Sequence, residues 1–310
     1  MKMHNLWRNS RKNCFRSWIG IFFVPMLLAC QQTNKAKTIN TESIDWNALQ
    51  FTCSKEQNPA FDDASDALFQ RARALEKVNN QSNDAEMVRL YQQAAKRGHY
   101  KAMLNLSILY ARGIGVAVNQ GKAVDLVEKA MKMQSAHAYY SMDVLLQQGV
   151  SVKKDKKAVF SYFRKSADMG NKYGQVATGE NIIRAFQRQP EPTRSRGKAI
   201  GRQALECALS QDLADAGYSL GIDYLIAEKD IPTALEYFQK AASLGHKQSL
   251  YTLYFVFERE EHGIPKDPKS ASCYYELLEQ RRADPNKRFP DIDQLCPLPP
   301  HKNFSDQSSL

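Results

Sequence analysis

The 310-residue chain lacks the residue patterns on which most enzyme and nucleic-acid chemistry depends. It has no C-x-x-C, no His-Glu-x-x-His and no H-x-x-x-H pair, so neither a zinc site nor a thioredoxin-like centre has its ligands in sequence. His99, His137, His246, His262 and His301 are isolated, and no cofactor or metal is expected. There is no Lys/Arg-rich run of the kind that marks nucleic-acid binding. No convincing alternation of β-branched residues argues for strands. No apolar run approaches the roughly 20 residues a helix needs to cross a bilayer. What remains is rich in Ala, Leu, Tyr, Lys and Gln, a composition that favours helix.

The most legible part is the beginning. Lys2, Arg8, Arg11, Lys12 and Arg16 form a basic leader without an acidic residue, and they supply half of the formal charge of +10. The apolar run Trp18 to Leu28 follows, with the length and flanks of a secretory signal. It ends in Leu27-Leu28-Ala29-Cys30, which resembles the bacterial lipobox. That resemblance implies a signal peptide over 1–29 and acylation of Cys30. Gln31 and Gln32 follow instead of Asp, which by the same analogy implies an outer-membrane anchor facing the periplasm. Several acyl chains on one cysteine hold firmly. The polar stretch 30–58 reads as a lipidated flexible tether. Cys53, Cys207, Cys273 and Cys296 then face an oxidising compartment and allow three connectivities. A Cys273–Cys296 bridge would tie the proline-rich tail to the last helix; free buried thiols are the alternative.

A fixed-period repeat runs through the middle. The trio Ala102, Leu106 and Tyr110 recurs as Ala138, Met142 and Leu146, as Ala216, Leu220 and Tyr224, and as Ser249, Leu253 and Phe257. Gly174, Thr178 and Ile182 form an eroded copy, and the intervals are 36, 36, 42 and 33 residues. A second signature closes on glycine: Leu90 to Gly98, Tyr162 to Gly170 and Tyr237 to Gly245 match position by position. Such a glycine suits the left-handed residue that ends a helix. His99 and His246 each follow it, so they mark a repeat position. The unit is two antiparallel helices joined by short turns. Gly217 to Gly221, GYSLG, fits the G-x-S-x-G of lipases and esterases, but a nucleophile elbow needs a strand before it. Here the preceding residues are helical in pattern. Ser219 is expected on a first helix, at the offset held by Asn105, Ser141 and Thr252, and no residue is expected to be catalytic.

These residues resemble the Sel-1-like repeat, a relative of the tetratricopeptide repeat, over roughly 84–280. Ala102-x-x-x-Leu106-x-x-x-Tyr110 with Lys122-Ala123, and Leu220-Gly221, Tyr224 with Lys240-Ala241-Ala242 and Gly245, carry the likeness. Gln134 departs from it where glycine is usual. The resemblance implies an all-α, right-handed superhelical solenoid over 59–281, with a loop or insertion at about 187–199. The segment Phe289 to Pro300 resembles a tail that accompanies such repeats in bacterial lipoproteins, and residues 282–310 are expected as a proline-stiffened cap with Ile292 and Leu295 packed inward. Lipoproteins of this composition resemble immunity proteins of type VI secretion lipase effectors. The implied role is therefore non-enzymatic binding of a phospholipase effector in the periplasm. Tyr100, Tyr139, Tyr173, Tyr218 and Tyr251 are candidate contacts, since aromatic anchors dominate tight interfaces. A general envelope adaptor, and more remotely an esterase using Ser219, are the alternatives.

Overall fold

The four-residue spacing of the trios puts each on one face of a helix. The computed structural model describes residues 44–78, 80–147, 149–150, 156–259 and 263–300; the leader, Cys30, His262 and His301 fall outside them. A short helix α1 (Trp46–Leu49) leads, through an extended stretch, to α2 (Asp63–Val78). A 3-10 turn (Gln81–Asn83) opens α3 (Asp84–Lys96), followed by α4 (Tyr100–Arg112), α5 (Gln120–Lys132), α6 (Ala136–Gln147) and α7 (Lys156–Asp168). Then come α8 (Lys172–Phe186), α9 (Thr193–Leu209) and α10 (Ala214–Asp223), which runs into a π-helical turn (Tyr224–Glu228). The stack ends with α11 (Ile231–Ser243), α12 (Lys247–Arg259), α13 (Pro268–Ala283) and the one-turn α14 (Ile292–Leu295). There is no strand among the described residues.

From α2 to α13 each helix packs chiefly on its neighbours in sequence, which is the organisation of a solenoid. The first helices α4, α6, α8 and α10 also touch in succession, and the second helices α5, α7, α9 and α11 make no comparably close pairing. Helices that approach at every second position lie on the inside of a curve, so the first helices form the inner face. The trios fill the core between layers. Ala102, Leu106 and Tyr110 pack with Leu90, Tyr91 and Ala94, and Leu253 and Phe257 of the last trio pack with Leu235, Phe238 and Tyr274. Each such buried large side chain contributes about 1.5–3 kcal/mol.

The turns from second to first helix share one geometry. The residue after each second helix donates its N–H five residues back: His99 to Ala94, Ser135 to Ala130, Asn171 to Ser166, Leu213 to Ala208 and His246 to Ala241. The residue before it is left-handed in all five, as Gly98, Gln134, Gly170, Asp212 and Gly245. Gln134 and Asp212 thus keep the turn without glycine, at a cost of about 1–2 kcal/mol each. The histidines then have a plain role. Nδ1 of His99 accepts from the N–H of Ala102 at 3.2 Å, and Nδ1 of His246 accepts from that of Ser249 at 3.2 Å. Asn171 caps α8 at the same position, with its Oδ1 2.9 Å from the N–H of Gly174. They are helix caps.

Three expectations need correction. Residues 44–58 are not a flexible tether: Phe51 is buried against Ala167, Ala204 and Cys207, and Cys53 is disulfide-bonded to Cys207. Arg164 binds the segment's backbone, donating to the carbonyls of Ala48 at 3.1 Å and Leu49 at 3.0 Å, and also to that of Gln50. Next, 187–199 is no long insertion. Helix α9 already begins at Thr193, and the 42-residue interval arises because α8 and α9 run 15 and 17 residues where most others run 13. Finally, Ile292 is buried in the tail but Leu295 is 58% exposed, because a single helical turn presents only one side inward. The tail is fastened by the Cys273–Cys296 disulfide.

Candidate functional site

Ser219 lies mid-way along α10, with α9 and not a strand before it. Its hydroxyl donates to Oε1 of Glu180 on α8 at 2.6 Å. No histidine hydrogen-bonds it among the described residues: His246 is engaged with Ser249 and with Oδ1 of Asp215 at 3.3 Å. The flanking glycines have another purpose. A Cβ on Gly221 would meet the Phe238 ring at 2.5 Å, and one on Gly217 would meet Ala241 at 3.1 Å and the Tyr237 carbonyl at 3.2 Å. The G-x-S-x-G spacing is the stripe that lets α11 approach α10.

The five candidate tyrosines part company. Tyr100 is 1% exposed and packed beside His99 and Phe61, so it is withdrawn as a contact residue. Tyr139 is half-buried near Tyr162. Tyr173, 39% exposed, forms an aromatic cluster with Tyr140 at 5.6 Å and His137 at 5.9 Å. Tyr218 is half-buried between Phe238 and His246. Tyr251, 40% exposed, lies 4.2 Å from Phe255, whose ring is also covered by Arg259 at 4.2 Å. Four of the five therefore have some access to solvent, two of them substantially.

Two grooves flank α8. One, about 330 Å³, opens between α8 and α10, with Leu205 of α9 on its floor and Ile183, Tyr218, Ile222 and Ile226 on its walls. The other, about 600 Å³, lies against α7, with Val159, Phe163 and Ala177. Glu180 and Arg184 line both. The π-helical turn winds the backbone wider at Tyr224–Glu228 and leaves Ile226 61% exposed. That turn is held from behind. Nζ of Lys198, itself buried, pairs with Asp223 at 2.8 Å and Glu228 at 2.5 Å, and Arg202 pairs with the same two carboxylates at 2.6 and 2.5 Å. The arrangement presents slots with apolar walls, and Glu180 and Arg184 stand between them. Such slots suit side chains of another macromolecule, and no three His, Cys, Asp or Glu side chains come together to hold a metal among the described residues.

Sequence reasoning missed Glu180, Arg184 and Ile226. A signal existed: Tyr173, Glu180 and Arg184 recur at i, i+7 and i+11, one face of a helix, opposite the buried trio. It missed Asp143 as well. This carboxyl is buried on α6, accepts from Nε2 of Gln147 at 2.9 Å through one oxygen, and has no partner for the other among the described residues. Burial pushes its pKa up to about 7.

The chain belongs to the Sel1-repeat proteins: the family model for the Sel1 repeat matches residues 88–99, 101–135, 134–171 and 213–246. Among solved structures it is similar to two immunity proteins of Pseudomonas aeruginosa. Immunity protein Pa5087 superposes with a TM-score of 0.62 at 31% identity, covering 81% of this chain and 95% of that one. Immunity protein PA5088 gives 0.64 at 28% identity over the same shares. Chitin synthase regulatory factor 3 of Schizosaccharomyces pombe is 28% identical over 205 residues, 62% of this chain, and the chain spans only 21% of that protein. The long pair α8–α9 falls between the matched repeats, and it is the pair that carries both grooves. A break in a regular pattern is where function is to be sought.

Proposed function

We propose that this is a lipid-anchored envelope protein that binds a secreted phospholipase effector of a type VI secretion system and neutralises it without catalysis. The observation that carries the reading is the likeness to two immunity proteins over 95% of their length. The inner face supports it. Two grooves with apolar walls, one of them lined by Tyr218, have the character of sites that take hot-spot side chains. The anchor rests on the lipobox-like Leu27-Leu28-Ala29-Cys30, and the two disulfides fit an oxidising compartment. Expression of the full chain is expected to rescue cells that carry the cognate effector in the periplasm. Full rescue by a version without the leader, held in the cytoplasm, would refute the site of action. Ester hydrolysis by the pure protein that vanishes in Ser219→Ala would refute the non-catalytic role.

A further inference from the structure

We infer that the end of the α8–α9 hairpin is a docking surface for anionic phospholipid, on which the anchored protein rests. The inference builds on the lipid anchor proposed above. Four arginines meet there: Arg184 and Arg188 at the close of α8, and Arg194 and Arg196 in the first turn of α9, all exposed. The carboxylates at this end are already engaged. Glu191 pairs with Arg194 and caps Ser195, and Asp45 accepts from the N–H groups of Asn47 and Ala48. Arg184 and Arg188 have no ion pair among the described residues. Arg194 and Arg196 occupy the start of a helix that has no acidic residue in its first turn, where the helix dipole disfavours cations. One carboxylate, Glu191, answers only one of the four charges.

The same end is where the described chain begins. The half-buried ring of Trp46 lies 5.5 Å from that of Phe186, and the Arg196 guanidinium stacks on it at 4.1 Å. A tryptophan with one apolar side and one wet side suits a membrane interface. Cys30 is fourteen residues before Ile44. A chain of that length reaches at most about 50 Å. An acylated Cys30 therefore holds this patch within reach of the bilayer, where each basic residue adds roughly five-fold to partition onto an anionic surface. Docking there would place the grooves beside α8 near the surface on which a phospholipase works.

Trp46 makes the test local, because Trp7 and Trp18 leave with the leader. The protein processed at Cys30 is reconstituted in phosphatidylglycerol-rich vesicles and in vesicles of phosphatidylcholine alone. In the anionic vesicles Trp46 emission is expected to shift to the blue and to resist acrylamide. High salt and the double variant Arg188→Glu/Arg194→Glu are expected to abolish the shift, with emission in buffer unchanged. Equal spectra in the two vesicles would overturn the inference, and so would a double variant that responds like the parent. A variant that keeps the vesicle response but loses its hold on the effector would show that the arginines read a protein, which overturns it too. The mass of Cys30 reports the anchor separately. If no acyl chain is found, the anchor reading fails, and vesicles added to the soluble protein still judge the patch, by a partition that drops roughly five-fold per charge removed.

Discussion

The two segments outside the helical repeats, 44–58 and 284–300, are each fastened by a disulfide, yet they act on different scales. The C-terminal segment caps its own end of the stack. The N–H of Phe289 donates to Ser243, Phe289 and Ile292 are buried on the last helices, and Tyr274 donates its hydroxyl to the carbonyl of Cys296 at 3.0 Å. Its disulfide joins residues only 23 apart. The N-terminal segment instead crosses the middle of the stack. It touches α7, α8 and α9 through Arg164, Gln175 and Cys207, and its disulfide joins residues 154 apart. A solenoid has almost nothing but nearest-neighbour contacts, and its stability is a sum of local terms. The C-terminal segment adds one more local term. The N-terminal one ties the chain ahead of the first repeat to the fourth pair, and so couples layers that would otherwise melt independently.

Disrupting the long bridge should do the most. Loop closure predicts that Cys53→Ser/Cys207→Ser costs about 5 kcal/mol, and Cys273→Ser/Cys296→Ser about 3.4 kcal/mol. The shape should differ as well as the size. Without the long bridge, urea unfolding should separate into two transitions by circular dichroism, whereas the short-bridge variant should unfold in one. A single transition in both would mean that the strap does not couple the layers. Next in size is Arg164→Met, expected to cost about 2 kcal/mol, since three backbone carbonyls lose a charged donor. Limited proteolysis should then cut within 44–58 first. If the cut falls in the tail instead, the strap is held by its disulfide alone.

A buried acid adds a pH dependence to the layers between the two segments. Asp143 has its pKa raised to about 7 in the folded protein, against about 3.9 unfolded. The native state therefore holds the extra proton between these values, and stability should fall as pH rises from about 4 to 7, staying low above. Asp143→Asn should flatten that slope and gain about 1–2 kcal/mol at pH 8, read from denaturation midpoints. Both bridge variants are best compared at one pH for this reason. The smallest effect is expected from Gln134→Gly, which relieves a left-handed residue and should add about 1 kcal/mol. A loss there would mean that the Gln134 side chain contributes contacts outweighing the backbone cost.

Much of the repeat could be read directly. The trios fixed the helices and their buried faces, because four-residue spacing admits one periodicity. The closing glycines marked three turns, but the turns at Gln134 and Asp212 carry no such sign, since a left-handed residue is a conformation and not a residue type. His99 and His246 were visible as a repeat position, yet their cap role needed the N–H groups of Ala102 and Ser249 in view. Of the candidate contacts, Tyr173 and Tyr251 are open and Tyr100 is closed; nothing local to these tyrosines distinguishes them. Tyr100 is closed by residues from other helices, Val127 and Ala138 among them, and Phe61 adds a ring 6.2 Å away from 39 positions upstream.

Sequence alone determined that this protein is a stack of helix pairs, because periodic burial is a local property repeated at each layer. Tertiary structure decided what the departures from that period are for. Packing turned a lipase-like GYSLG into a contact stripe for α11, turned a supposed tether into a strap bonded to Cys207, and turned the irregular α8–α9 pair into the wall of two grooves. The reason is common to all three: each depends on distance between residues far apart in the chain, and spacing along a sequence carries no record of distance in space.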